Sequence, residues 1–296
     1  MDIKTIKKLN LLAVDVREAT LEMIYEVGSG HGGTALSIVD IVTSLLFHRM
    51  DWSKQLKHVK GRAPSKQWKY WHDPSLRRDR LVISKGHGVP SWYAALAVGE
   101  YIKRKELKEL RKLGSRLQGH PERKRFPFVD GTTGSLGQGQ SEALGYALAK
   151  KTQNRKEKVY CIIGDGESNE GQVWEAAMSA PKFKLDNLVY IIDFNNGQSE
   201  GTNKEVMDIE PLHKKWEAFN WHVQRINGHN MKQLLSAYKK CDGVKGKPHV
   251  IIADTHKGYL GNGKKFMGGG HNPVIDEDNL KKGMELLANI RESYGS

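Results

Sequence analysis

The sequence predicts an α/β fold in which helices cover both faces of a parallel sheet. The first observation is a set of short apolar runs rich in β-branched residues, which are typical of buried strands. These runs lie at 80–84, 159–164, 188–193, 222–226 and 249–254. The second observation is that helical patterns separate the runs, and strands that alternate with helices form parallel sheets. A chain of 296 residues can form one large domain, and we expect a single domain over 1–296.

The amino-terminal segment 3–27 is predicted to form an amphipathic helix, because apolar residues recur there every three or four positions and Gly28 is a typical helix end. A second helix is predicted from Thr34 to Met50. Further helical patterns lie at 88–101, 137–151, 170–180, 230–240 and 277–293. The segments between them are rich in Gly, Pro, Asn, His or Lys and are predicted to be irregular: 51–79, 114–136, 195–209 and 256–275.

The chain is basic, with 47 Lys and Arg against 34 Asp and Glu. This balance favours anionic partners, whether nucleic acid, an acidic membrane surface or phosphorylated small molecules. No nucleic-acid-binding motif accompanies the charge, so we do not expect nucleic acid. No apolar stretch is long enough to span a membrane, and the first residues lack the apolar region of a secretory signal, so we expect a cytoplasmic protein. Cys161 and Cys241 are expected to be plain buried or half-buried thiols.

Two oxygen-bearing side chains follow successive predicted strands. Gly164, Asp165 and Gly166 close one strand, and the next strand leads into Asn195. The carboxyl ends of parallel strands meet at one edge of a sheet, where ligands collect. A carboxylate and an amide oxygen suit Mg²⁺ bound to a diphosphate, and the glycines let backbone N–H groups approach phosphate oxygens. Taken alone, Gly-Asp-Gly is equally an ordinary turn.

The segment "GDGESNEGQVWEAAMSAPKFKLDNLVYIIDFNN" resembles the thiamine diphosphate signature of transketolases. Four other segments resemble transketolase segments in the same order along the chain: "GSGHGGTALSIVDI", "DRLVISKGHG", "LGSRLQGHPER" and "TTGSLGQG". The resemblance covers nearly the whole chain. It is to the diphosphate-binding half of the enzyme, in the short form in which transketolase is split into two polypeptides, and it implies the thiamine diphosphate-binding fold.

The resemblance implies a set of cofactor-binding residues. Asp165, Asn195 and the carbonyl of Gly197 are expected to ligate Mg²⁺ or Ca²⁺, and the backbone of Gly166 is expected to contact the diphosphate. The loop that packs beside the aminopyrimidine corresponds to Gly134 and Leu136.

Four histidines and two glutamates complete the implied site. His87 and His271 resemble the family's histidines near the diphosphate and the reaction centre, whereas His31 and His120 resemble those that meet the donor's hydroxyl groups. Neutral imidazoles can exchange protons with such hydroxyls, although each histidine alone could equally be a hydrogen-bonded loop or core residue.

Glu170 and Glu175 resemble the segment at the subunit interface, where carboxylates of two active sites approach each other, and Glu170 is also a catalytic candidate. The alternative is that both are simply acids favoured near a helix amino terminus. Glu167 is assigned no role and is expected to be solvated.

The resemblance implies an enzyme that transfers a two-carbon ketol unit from a ketose phosphate to an aldose acceptor, as in the pentose phosphate pathway. In the family, the glutamate that activates the aminopyrimidine lies in the other half of the enzyme. We therefore expect the partner to be a C-terminal transketolase subunit, most simply in an α2β2 complex, and no activity from this chain alone.

Other functions remain open at this point. One is a different thiamine diphosphate enzyme: a ketol transferase for sugar analogues, a deoxyxylulose phosphate synthase-like protein or a keto-acid dehydrogenase subunit. The histidines at 31, 87 and 120 favour ketol transfer. The others are a non-catalytic basic nucleic-acid-binding or scaffold protein, and a dinucleotide enzyme, for which "GSLGQG" lacks a preceding strand.

The segment 53–78 departs from the family's pattern and is interpreted as a basic, aromatic insertion. Three roles are open: bracing the partner subunit, lining a substrate entrance or binding a polyanion. The simplest alternative is a surface loop packed by Trp68, Tyr70 and Trp71.

Overall fold

The computed structural model describes residues 2–50, 52–261, 263 and 275–295. Its centre is a five-stranded sheet in the order β1-β2-β3-β5-β4, in which every neighbouring pair is parallel. The strands are β1 (Arg80–Ile83), β2 (Val159–Gly164), β3 (Leu188–Phe194), β4 (His222–Asn227) and β5 (His249–Asp254). All five predicted strands and their parallel arrangement are confirmed.

Helices connect and cover these strands. They are α1 (Ile3–Val27), α2 (Gly32–Ser37), α3 (Val39–Ser44), α4 (Ser53–Val59), α5 (Pro64–Trp71), α6 (Val89–Val98), α7 (Gly139–Thr152), α8 (Gly171–Lys182), α9 (Asn203–Val206), α10 (Leu212–Ala218), α11 (Met231–Gly243) and α12 (Glu277–Gly295). The first helix ends at Gly28, which adopts the predicted left-handed conformation with a φ of 65°.

The prediction of one helix from Thr34 to Met50 was wrong. The segment is helical from Gly32 but is interrupted at Ile38, whose φ of −100° and ψ of 6° do not continue a helix. It then ends in a π-helical turn over Leu45–Arg49. Helices α4, α5 and α9 lie in segments predicted to be irregular, and α10 was not predicted.

The sheet separates two apolar cores. Side chains alternate along a strand, so Tyr160 and Ile162 face one core and Val159, Cys161 and Ile163 face the other. Helices α1, α3, α6, α11 and α12 pack on the first face, and α7, α8 and α10 pack on the second. This burial on both faces explains why β2 and β3 are continuous apolar runs.

The insertion is folded into the molecule. Trp71 on α5 is fully buried and meets Trp52 edge-on, with 4.7 Å between ring centroids. Arg78, at the end of the insertion, lies over the Trp71 ring at 4.5 Å from its centroid. The alternative of a surface loop over 53–78 is therefore wrong, because the segment forms α4 and α5 and buries Val59 and Trp71. Trp68 is 39% exposed, and most of the segment's basic side chains face solvent.

Both cysteines are buried thiols without a disulfide, as expected. In the part of the chain that the structure describes, no helix has the length and apolar character needed to cross a bilayer.

Candidate functional site

The candidate site lies where four neighbouring strands end. Lys85 follows β1, Asp165 follows β2, Asn195 follows β3 and Thr255 follows β5. Because the strands are parallel, these residues meet at the carboxyl edge of the sheet, which is where open α/β sheets bind ligands.

Asp165 is buried, with 2% of its surface exposed. One carboxylate oxygen accepts a hydrogen bond from Gly166 N (2.9 Å), and the other accepts from Asn196 N (2.6 Å) and Asn203 Nδ2 (2.9 Å). Burial, together with the negative charge of Asp193, raises the pKa of Asp165. The Asp165 carboxylate is thus held directly against the loop that follows β3, and a bound cation would favour its charged form.

Asn195 provides the clearest test of whether this site fits a cation. Its Nδ2 donates to Asp193 Oδ2 at 2.9 Å, which fixes the orientation of the amide. Its Oδ1 is buried and has no hydrogen-bond partner among the described residues. A buried amide oxygen without a partner is costly, and oxygen is the ligand that Mg²⁺ and Ca²⁺ prefer. The donor set therefore fits the metal that the sequence predicts.

Gly197 lies beside this oxygen. A Cβ atom at position 197 would lie 2.9 Å from Lys257 Nζ and 3.5 Å from Asn195 Oδ1, so no side chain fits there without displacing Lys257. Lys257 donates to Gln198 O at 3.0 Å. The backbone of this turn is thus kept accessible next to a positive charge, which suits an anionic group such as a diphosphate.

A buried ion pair between Lys85 and Asp193 lies beside the site. Asp193, the penultimate residue of β3, is fully buried. Its carboxylate accepts hydrogen bonds from Lys85 Nζ, Thr255 Oγ1 and Ser37 Oγ. Burial disfavours this carboxylate, but Lys85 and the hydrogen bonds outweigh it and lower the pKa of Asp193. Sequence reasoning missed this pair. The available signals were an acid at the end of an apolar strand and a lysine just before the predicted histidine at 87.

The structure brings three of the four predicted histidines together. The His31 ring lies 5.5 Å from His87 and 5.5 Å from His120, centroid to centroid. Partial burial and the Arg111 guanidinium lower the pKa of His120, so that ring is neutral at neutral pH. The fourth, His271, lies outside the described residues.

The loop 132–139 packs against His120. Gly134 has a φ of 131°, and a Cβ atom there would lie 2.9 Å from two atoms of the His120 ring. Only glycine fits this close approach without strain. Leu136 is half-buried in the same loop.

Glu170 and Glu175 lie at the edge of the site. Glu170 is exposed at the start of α8, and a Cβ atom at Gly137 would lie 2.7 Å from Glu170 Cβ, so the two loops touch. Glu175 is exposed one turn further along α8. Both carboxylates are therefore accessible to another molecule.

The expectation that Glu167 is solvated was wrong. Glu167 is 2% exposed, and its two carboxylate oxygens accept from Gly137 N (3.0 Å) and Gly164 N (3.0 Å), with a further bond from Ser84 Oγ. Burial raises the pKa of Glu167. The side chain ties together the ends of β1 and β2 and the loop 132–139, because only a buried acceptor can satisfy these backbone N–H groups.

This arrangement predicts the effect of replacing Glu167 by glutamine. One carboxylate oxygen would be replaced by an amide NH2 group that faces a backbone N–H, so we expect Glu167→Gln to lower the free energy of unfolding by about 1–3 kcal/mol. Urea denaturation measures this change. Glu175→Gln, on the exposed face of α8, is the matched control and should change stability by less than about 0.5 kcal/mol. Equal effects from the two variants would contradict the tethering role.

Comparison with known protein families identifies relatives of the chain. Residues 4–290 match the family described as "Transketolase, thiamine diphosphate binding domain". The chain is 42% identical to the 6-deoxy-6-sulfo-D-fructose transketolase subunit of Clostridium sp. (strain MSTE9) over 275 residues, which are 92% of this chain and 93% of the relative.

Two further relatives show how much of a transketolase the chain represents. It is 37% identical over 254 residues to an apulose-4-phosphate transketolase subunit of Phocaeicola vulgatus, covering 86% of this chain and 84% of that relative. The crystal structure of transketolase from Campylobacter jejuni superposes with a TM-score of 0.80 at 30% identity, covering 99% of this chain but only 46% of that one. The chain thus spans about half the length of that transketolase.

Proposed function

The chain belongs to the transketolase family, as its thiamine diphosphate-binding domain, and from that premise we propose that it is the diphosphate-binding subunit of a split transketolase. The observation that carries the proposal is the carboxyl edge of the sheet. There, the Asp165 carboxylate, the Asn195 oxygen, which has no partner among the described side chains and backbone, and the three-histidine cluster (His31, His87 and His120) share one side of the molecule. In this proposal, residues 1–296 form one domain.

In this proposal, Mg²⁺ (or Ca²⁺) is held by Asp165, Asn195 and the carbonyl of Gly197. The Gly166 backbone contacts the diphosphate, and the Lys257 ammonium offsets its charge. Gly134, Leu136 and His271 complete the cofactor site. The diphosphate end of the cofactor is thereby fixed by residues of this chain, while thiamine diphosphate itself supplies the reactive carbon and the electron sink for cleaving a ketose carbon–carbon bond.

The histidines act on the sugar. Rings that approach one another at 5.5 Å can each face a different hydroxyl group of one bound ketose. A neutral imidazole accepts a proton at one nitrogen and donates one at the other, so His31, His87 and His120 can orient the donor and exchange protons with its hydroxyls near neutral pH. Glu170 is proposed to lie at the subunit interface next to Glu175 and to contribute to catalysis there.

The proposal includes a second subunit. The two subunit relatives are covered over 93% and 84% of their lengths, whereas the Campylobacter jejuni transketolase is covered over 46% of its chain. These coverages support the proposal that the chain is one subunit of a divided enzyme. We propose a cytoplasmic α2β2 complex in which the partner supplies the glutamate that activates the aminopyrimidine.

Reconstitution tests this proposal. We expect ketol transfer from xylulose 5-phosphate to ribose 5-phosphate only when this chain, its partner, thiamine diphosphate and Mg²⁺ are all present. Light scattering of the purified complex should give the mass of two copies of each chain. Activity from this chain alone would contradict the divided-site argument, and salt-dependent retention on DNA without cofactor binding would favour the nucleic-acid alternative.

The donor sugar forms a second question within the same function. The names of the two subunit relatives mention 6-deoxy-6-sulfo-D-fructose and apulose 4-phosphate. These names support a specialised ketol transferase as the second candidate. The reconstituted complex should therefore be assayed with 6-deoxy-6-sulfofructose and apulose 4-phosphate beside xylulose 5-phosphate. The donor with the highest kcat/KM identifies the specialisation.

A further inference from the structure

A cluster of side chains of the types that bind metals lies at the opposite edge of the sheet. His222 is the first residue of β4, His249 is the first residue of β5, and Cys241 lies near the end of α11, the helix that connects them. The imidazole nitrogens and the thiol sulfur all lie within 4.8 Å of one another. These residues come from three consecutive elements at the amino-terminal edge of the sheet, away from the cofactor site.

The two histidines are positioned by the sheet itself. His222 and His249 are register partners on neighbouring parallel strands, and their Nδ1 atoms lie 3.1 Å apart. Two tetrahedral Zn–N bonds of about 2.0–2.1 Å would place the nitrogens about 3.3–3.4 Å apart. A zinc ion therefore fits between them with only a small widening.

Hydrogen bonds already select the nitrogen of His249 that would face a metal. His249 Nε2 lies 3.2 Å from Asp186 O, which also accepts from Lys158 Nζ at 2.9 Å. A carbonyl oxygen can only accept, so Nε2 carries the proton and Nδ1 has a free electron pair directed at His222. Metal-bound histidines commonly donate their other N–H to a backbone carbonyl in this way.

Cys241 completes the set. Its sulfur is fully buried, and Gln224 Nε2 approaches it at 3.4 Å. The Oε1 atom of the same glutamine is buried and lacks a hydrogen-bond partner among the described residues. Two imidazoles and one thiolate suit Zn²⁺, whereas Mg²⁺ and Ca²⁺ prefer oxygen ligands. The half-buried His222 leaves a side from which an ion and a water ligand can enter.

We propose that His222, Cys241 and His249 bind a zinc-class divalent cation and that the ion ties β4, α11 and β5 together. On binding, the Cys241 thiol releases its proton to solvent and the sulfur forms a bond to the metal. In the metal-free chain, His222 Nδ1 carries the proton of its 3.1 Å hydrogen bond to His249 Nδ1. On metal binding, His222 releases this proton to solvent and takes one up at Nε2, so that both Nδ1 atoms donate an electron pair. The site serves the stability of the sheet edge and does not take part in ketol transfer, because it lies at the edge opposite Asp165.

Cobalt titration of the full-length, metal-free chain tests the proposal, with Mg²⁺ present throughout. We expect one equivalent of Co²⁺ to give tetrahedral visible bands with a thiolate-to-cobalt charge-transfer band, both removed by Zn²⁺. Zinc should also raise the midpoint temperature of unfolding. Cys241→Ser should abolish the charge-transfer band and weaken zinc binding by more than about 100-fold, beyond the effect of changing residues that merely support ligands.

Matched variants keep the result interpretable. Cys161→Ser changes the other buried thiol, on β2, and should leave the cobalt spectrum intact. His222→Asn alters a half-buried residue of the edge strand β4 and replaces Cys241→Ser if that variant does not fold. A cobalt spectrum without the thiolate band would place the metal at the three-histidine cluster and overturn the proposal. Unchanged zinc affinity in Cys241→Ser or His222→Asn would also overturn it.

Discussion

Replacing Asp165 by alanine is expected to abolish ketol transfer by the reconstituted complex. The carboxylate is the only charged oxygen ligand in the proposed set of Asp165, Asn195 and Gly197. Changes to residues that only support metal ligands already cost about 10–100-fold in metal affinity, so loss of this ligand should weaken Mg²⁺-dependent cofactor binding by more than about 100-fold. Calorimetric titration of the complex with thiamine diphosphate and Mg²⁺ measures the loss, and the enzyme assay should fall in parallel.

Asp165 also holds its neighbouring loop, through Asn196 N and Asn203 Nδ2, so two further variants are needed. Asn203→Ala removes one tether and keeps the carboxylate. Glu200→Gln changes an exposed carboxylate in the same loop and should leave binding unaltered. If Asn203→Ala weakens cofactor binding as much as Asp165→Ala does, the loss of binding results from a disordered loop and not from the missing carboxylate. If Asp165→Ala binds cofactor normally, the metal assignment is wrong.

Replacing Asp130 by asparagine is expected to cause the largest loss of stability. Asp130 is fully buried, and its carboxylate accepts hydrogen bonds from both terminal nitrogens of Arg78, at 2.8 and 2.5 Å. It also accepts hydrogen bonds from Arg80 Nη1 at 2.6 Å and from Leu81 N at 3.0 Å. Without the carboxylate, the buried Arg78 guanidinium loses its counter-charge. Removing one partner of a buried ion pair costs about 3–5 kcal/mol, and urea denaturation at neutral pH measures it.

An exposed ion pair provides the control for this loss. Arg104 and Glu22 approach at 2.8 Å, but their side chains are about half exposed. Glu22→Gln should therefore lower stability by no more than about 1 kcal/mol. If Asp130→Asn costs no more than Glu22→Gln, the buried cluster does not anchor the insertion to β1.

The Asp130 cluster also predicts a pH dependence. Burial alone would raise the pKa of Asp130, but Arg78 and Arg80 outweigh burial and lower it below its usual value. An unfolded aspartate has a pKa of about 3.9, so the stabilising contribution is complete above that pH and is lost as the pH falls further. The stability difference between the native chain and Asp130→Asn should therefore shrink below about pH 4. A difference that grows on acidification would contradict this assignment.

Much of the candidate site could be anticipated because parallel topology imposes it. Once β2 and β3 are recognised as parallel neighbours, the residues that follow them must share an edge, so Asp165 and Asn195 had to approach. The role of Glu167 could not be anticipated in this way. Its bond to Ser84 joins residues 83 positions apart, and no local pattern distinguishes a buried acceptor from a solvated acid.

The fold of the insertion 53–78 could not be predicted from local sequence either. Its composition, with many lysines and few apolar residues, suggested an irregular surface segment. Burial of Trp71 depends on Trp52, Phe128 and Arg78 meeting it from different parts of the chain. The short helix α5 buries Trp71 and Gln67, and short helices gain most of their stability from such packing.

The sequence by itself determined the class of fold, the five strands, the long first helix and the family, because periodicity and ordered motifs are properties of neighbouring residues. Only the tertiary structure decided which acids are buried, that Lys85 pairs with Asp193, that three histidines form one cluster and that His222, Cys241 and His249 meet at the far edge. Burial and pairing depend on residues distant in the chain, and the spacing of amino acids along a segment does not encode those distances.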